Sequence, residues 1–194
     1  MKLPTTLPGS FRKTEEFSAH LPKSRHRRLN LLSFGIMLLF FIAGWKWKGL
    51  GDLTAYLKMS FTTYCLYLLG LFVLMTLCAA GLELLKALFL KLFSGQKVFF
   101  ARTKLLFVVG CDGYFPRGLW LLVALLPVLL LGGGLFALCL FAPAGLFWIS
   151  FLGCASVFSQ SVGQFYCLLK ALGQPRGAYY CDLGVVLQVY REEL

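Results

Sequence analysis

Five polar side chains stand in otherwise apolar stretches and could do chemistry there: Glu83, Lys86, Ser156, Gln160 and Gln164. The acidic residues are Glu15, Glu16, Asp52, Glu83, Asp112, Asp182, Glu192 and Glu193, and Glu83 alone falls inside a predicted membrane span. An ionisable group in hydrocarbon costs about 2.5–3.5 kcal/mol on insertion scales unless it is paired or wet, so it marks a functional position by default. Lys86 lies three residues on, within reach on the same helix face. One reading is an intrahelical Glu83–Lys86 ion pair near the cytoplasmic end of the helix, with Lys86 snorkelling outward. The other is an acid–base pair whose acid is perturbed by desolvation. Ser156, Gln160 and Gln164 recur at i, i+4 and i+8 and share a face of one predicted helix, where Ser and Gln commonly act as hydrogen-bonded glue between membrane helices. Ser159, Ser161 and Cys167 are potential nucleophiles with no histidine partner, because the two histidines, His20 and His26, both lie in the N-terminal tail.

The elements that must hold these residues are set by composition. Hydrophobic residues make up 59% of 194 positions and the mean hydropathy is +0.77, above the apolar share of soluble domains. The sequence therefore predicts an α-helical integral membrane protein of about four transmembrane helices. These run over Leu29 to Trp45, Ser60 to about Phe93, Gly118 to Phe141 and Gly145 to about Leu169. Trp45, Lys46, Trp47 and Lys48 mark an interface, and Gly49 to Lys58 reads as an interfacial connection. Pro127 and Gly132-Gly133-Gly134 predict a kink or break in the third span. Ala142-Pro143-Ala144 leaves room only for a tight turn before the fourth.

Between spans two and three, Val98 to Phe100 and Leu105 to Val109 are β-type residues and predict a small cytoplasmic β-hairpin, followed by a turn at Asp112-Gly113. Residues 1–28 read as a basic, flexible cytoplasmic tail without a cleavable signal peptide. Residues 29–172 form the membrane domain, and 173–194 a second cytoplasmic tail with a short strand at Val185 to Tyr190. The net charge of +11 is concentrated beside the apolar runs. By the positive-inside rule it puts both termini of a multi-pass cell-membrane protein in the cytoplasm, facing anionic lipid of the bilayer. No nucleic-acid-binding module is recognisable, so nucleic acid is excluded as a partner. The seven cysteines contain no C-x-x-C pair and read as small hydrophobes.

Gly81-Leu82-Glu83-Leu84-Leu85-Lys86-Ala87-Leu88-Phe89 resembles the H-E-x-x-H helix of the membrane zincin metallopeptidases, short bacterial proteins similar in outline to site-2-type intramembrane proteases. In that motif two histidines on one helix face bind zinc and the glutamate is the general base for the attacking water. The resemblance spans residues 60–194. It includes the β-type stretch, Gly163-Gln164 where the family has Gly-Asp on its last span, and the run Pro175, Asp182, Gly184, Val189, Tyr190 where it has D-x-G and a Val-Tyr strand. It implies that Glu83 stands at the base position, while Leu82, Lys86 and Gln164 replace the three zinc ligands.

The resemblance thus implies a degenerate, catalytically inactive pseudo-metallopeptidase with vestigial positions Glu83, Leu82, Lys86 and Gln164 and no metal or other cofactor. Its role would be binding. The former peptide groove, lined by Glu83, Lys86, Ser156, Gln160 and Gln164, would serve a regulatory or assembly subunit that recognises a membrane-protein partner. Two alternatives stand beside this. One is an active membrane peptidase or hydrolase with a non-standard site at Glu83, Lys86 and Gln164. The other is a small transport or proton-conducting subunit working through Glu83 and Lys86.

Overall fold

The computed structural model describes residues 3–4, 6–18, 23–49, 60–102, 107–141, 144–184 and 186–192. Most of the predicted Gly49–Lys58 connection, the Pro143 turn and His20 lie outside them. In chain order the elements are β1 (Phe11–Ser18), α1 (Lys23–Lys48), α2 (Phe61–Ser94), β2 (Val98–Arg102), β3 (Phe107–Cys111) and β4 (Tyr114–Pro116). There follow α3 (Arg117–Phe141), α4 (Ala144–Gln160), α5 (Val162–Leu172), β5 (Tyr179–Asp182) and β6 (Val186–Glu192).

Three helices, α1 from Arg27, α2 and α3, are long and apolar enough to cross a membrane, and α4 with α5 makes a fourth if the bent pair is one span. Their ends are chemically marked. Ser60 caps α2, its hydroxyl accepting the Thr63 N–H at 3.4 Å. At the other end Gly95, with φ of 63°, donates its N–H to the Lys91 carbonyl at 3.0 Å, a left-handed stop that a side chain would disfavour.

The predicted third span is a continuous helix over Arg117–Phe141, with Pro127 inside it, rather than a broken one. Pro127 cannot donate to the Val123 carbonyl, but the same turn is tied from outside: the Gln164 amide donates to the Ala124 carbonyl at 2.8 Å. The break falls in the predicted fourth span instead. The Ser161 N–H and hydroxyl both donate back to the Val157 carbonyl, at 3.1 and 2.7 Å, and the chain bends by 46° between α4 and α5.

Two compact units share the chain: Met1–His26, Glu83–Pro127 and Gly163–Leu194 in one, Arg27–Leu82 and Val128–Val162 in the other. The second is a helix bundle. Its core gathers Cys139, Phe147, Trp148 and Phe151, with Phe40 and Phe41 packed against them. Ser33 on α1 and Ser159 on α4 exchange bonds, each hydroxyl donating to the other residue's carbonyl, at 2.9 and 3.1 Å.

The first unit holds the β-structure. A four-stranded antiparallel sheet runs in the order β1-β6-β5-β4, beside a β2–β3 hairpin in which Val98 faces Cys111 and Arg102 faces Phe107. The expected hairpin and the expected C-terminal strand are therefore both present. The N-terminal segment differs from the flexible tail its sequence suggests. Leu3 is buried, its N–H donates to the Ser94 carbonyl at 3.1 Å, and β1 pairs along β6 from Phe11↔Glu192 to Ser18↔Val186. The unit's core joins Leu90 of α2, Trp120 and Val123 of α3, Leu168 of α5, and Phe115, Tyr180, Leu187 and Val189 of the sheet. The rings of Trp120 and Tyr180 stack at 5.2 Å.

Candidate functional site

Glu83 and Lys86 lie one turn apart on the part of α2 that belongs to the sheet unit, and each is tied to a different β-segment. A Glu83 carboxylate oxygen accepts the Val109 N–H of β3 at 3.0 Å. The Lys86 ammonium pairs with Asp182 at the end of β5, Nζ to Oδ2 2.9 Å, with the two side chains only 14% and 9% exposed. The i, i+3 spacing points to Glu83 as a partner of Lys86; the ammonium also reaches across to Asp182 of the sheet, with which it forms its ion pair.

Asp182 uses its other oxygen to accept the Gly184 N–H at 2.9 Å, closing the turn that leads into β6. Gly184 has φ of 79°, and a Cβ there would stand 3.1 Å from the Val109 carbonyl carbon and oxygen. Across from it, a Cβ on Gly110 would meet the Leu183 backbone at 2.5 Å. The β3 backbone and the β5–β6 turn therefore touch with no side chain between them. Glu83, Val109, Gly110, Gly184, Asp182 and Lys86 form a closed ring of contacts. The Asp-x-Gly pattern gives two members, Asp182 and Gly184, and nothing local in the sequence gives Val109 or Gly110.

The remaining expected site residues are engaged elsewhere. Gln164 on α5 donates to Ala124 of α3, as described above. Ser156 and Gln160 belong to the bundle unit. The Gln160 amide donates to the Ser156 hydroxyl at 2.5 Å and to the Met75 carbonyl of α2 at 3.3 Å. Ser156 and Gln160 lie on α4, and Gln164 lies on α5. Within the sheet unit, Gln164 is the only one of the three. Ser159 and Ser161 spend their hydroxyl protons on main-chain carbonyls.

A family model described as "putative zincin peptidase" matches residues 83–179, 97 of the 194 positions. The chain belongs to this family. The matched stretch starts on Glu83 and closes on Tyr179, at the start of β5. No curated protein and no solved structure matches the chain.

A zincin peptidase carries a zinc ion held by lone-pair donors, and the donor set here does not fit one. Leu82 is hydrocarbon. Lys86 presents an ion-paired ammonium, which has no lone pair and repels a dication. Gln164 presents its amide N–H to Ala124. Among the described residues no group of three His, Cys, Asp or Glu side chains could hold a metal. What the arrangement does supply is one fixed positive charge, the Lys86 ammonium, placed between a helix and a strand that both carry carboxylates.

Proposed function

We propose that this member of the zincin peptidase family is a multi-pass cell-membrane protein, both termini cytoplasmic, that binds rather than cuts. It acts as a regulatory or assembly subunit for a membrane-protein partner. The observation that carries this reading is the Lys86–Asp182 ion pair. At the second ligand position of the motif an ammonium takes the role of the local cation, and it fastens α2 to β5. The carboxylate that would activate water in a peptidase has one oxygen occupied by the Val109 N–H. Gln164 likewise holds a helix together beside Pro127. Each former catalytic position thus serves the scaffold, and a scaffold kept rigid by internal charge can present a surface without turning over a substrate.

The test is purification of the tagged full chain from its native membrane in mild detergent, with mass spectrometry of stoichiometric companions and a peptidase assay on the same preparation. The reading expects a reproducible membrane partner that is lost on altering Gln160, Gln164 or Glu83, and no proteolysis. A solitary protein whose peptidase activity disappears in Glu83→Gln would refute it.

A further inference from the structure

The strand β6 lies between β5 on one side and β1 on the other, and the two neighbours are held very differently. Along β5 and β6, Tyr180, Cys181, Asp182, Leu187 and Val189 are buried. Among the described side chains of β1 none is buried: Phe11, Glu15 and Phe17 are half-exposed, and Arg12, Lys13, Thr14 and Glu16 are exposed. The β1 ladder is also interrupted, with a register shift between Lys13 and Glu15. Its attachment combines main-chain hydrogen bonding, which any extended segment could reproduce, with side-chain contacts that set the register, among them the Thr14 hydroxyl donating to the Val189 carbonyl at 3.3 Å.

Those contacts are specific. Glu15 pairs with Arg191 of β6 at 2.7 Å and accepts from the Gln174 amide at 3.1 Å, while Arg191 also hydrogen-bonds the Gln174 side chain. Phe11 stands edge-on to Tyr179, ring centroids 5.4 Å apart, and Phe17 packs against the unit's core. Without β1, β6 would expose a row of unpaired main-chain donors and acceptors, an edge that recruits strands.

We infer that the outer edge of β6 is a strand-docking site, filled here in cis by β1 and exchangeable for an extended segment of a protein partner. The partner segment carries an acid opposite Arg191, flanked by aromatic residues at the positions of Phe11 and Phe17. The cis strand acts as a built-in competitor whose tether gives it a high effective concentration. This deepens the binding role proposed above and rests on it for the existence of a partner. Docking on β6 is tested without metal, partner or peptidase assay, so the two readings can fail separately.

The probe is a fluorescein-labelled synthetic peptide of residues 9–18, titrated against the detergent-solubilised full chain and followed by anisotropy. In the full-chain variant Glu15→Ala/Phe17→Asp, β1 loses its ion pair and its core contact. The expected result is that this variant binds the peptide about tenfold or more tightly than the unaltered chain. A peptide carrying Glu15→Lys should lose that binding and recover it when Arg191→Glu is added to the protein. Equal binding by both proteins, or binding indifferent to Glu15 and Arg191, overturns the proposal. Hydrogen exchange on the unaltered chain decides independently of any variant. Amides of β1 should exchange about tenfold or more faster than those of β5 and β6, and equal protection in the three strands also overturns it.

Discussion

Lys86 and Asp182 meet at 2.9 Å between α2 and β5, and both are largely withdrawn from solvent. Removing one partner of such a pair leaves the other charge buried and uncompensated, at a cost of about 3–5 kcal/mol. Lys86→Met should therefore lower the melting temperature sharply in detergent. Asp182→Asn keeps an oxygen for the Gly184 N–H while removing the charge, so the double variant Lys86→Met/Asp182→Asn should regain much of the loss. A double variant no more stable than Lys86→Met would show that the pair is not a unit.

Gln164 distinguishes scaffold from vestigial ligand. Gln164→Ala removes the bond from α5 to the Ala124 carbonyl and should cost about 1 kcal/mol, the usual worth of a hydrogen bond between membrane helices. Gln164→Asp restores the acid of the family pattern, yet a carboxylate has no proton to give that carbonyl. It should destabilise more than alanine does, as read by thermal unfolding of the two variants side by side.

The bare crossing of β3 with the β5–β6 turn predicts a contrast among glycines. Gly110→Ala drives a methyl group into the Leu183 backbone and should cost about 3 kcal/mol or more. Gly184→Ala meets both a 3.1 Å contact and a left-handed backbone, and should also fold poorly. Gly118→Ala, with open space around it at the start of α3, should be neutral to about 1 kcal/mol stabilising. Melting temperatures of the three variants check this order.

Two groups of the sheet set its alkaline limit. Burial pushes the Cys181 thiol from 9.0 up to about 12, with the nearby Asp112 and Asp182 carboxylates adding to the rise. Burial, together with a hydrogen bond to Tyr190, pushes the Tyr114 hydroxyl from 10.0 up to about 12. Both groups are neutral when protonated, and folding raises both. Their contribution is thus complete below about pH 9 and is lost as pH climbs toward 12. Stability should be flat up to pH 9 and fall above it. Cys181 should resist iodoacetamide at pH 8.5 in the folded chain and react once the chain is denatured.

Local composition made the long helices legible, since leucine-rich runs need no tertiary partner to declare themselves. The β2–β3 hairpin and β6 were also legible, from β-branched and aromatic residues. The strand β1 was not: Phe-Arg-Lys-Thr-Glu-Glu-Phe-Ser reads as a charged tail, and only pairing with β6, far along the chain, makes it a strand. The helix break was also misplaced. Pro127 is a local signal through which α3 nevertheless continues, while the bend between α4 and α5 falls at Ser161, which is neither proline nor glycine. At the site, Glu83 and Lys86 stood out as ions in an apolar run. Their hydrogen-bond and ion-pair partners Val109 and Asp182 come from separate strands, which helix spacing does not reveal.

The most direct test of the central claim is the zinc content of the full chain, purified without chelator and measured by plasma mass spectrometry against protein concentration. A scaffold with Leu82, Lys86 and Gln164 at the ligand positions should carry far less than one zinc per chain, and Lys86→Ala should not change that figure. One zinc per chain, lost in Glu83→Ala, would contradict the account and return this protein to the peptidases.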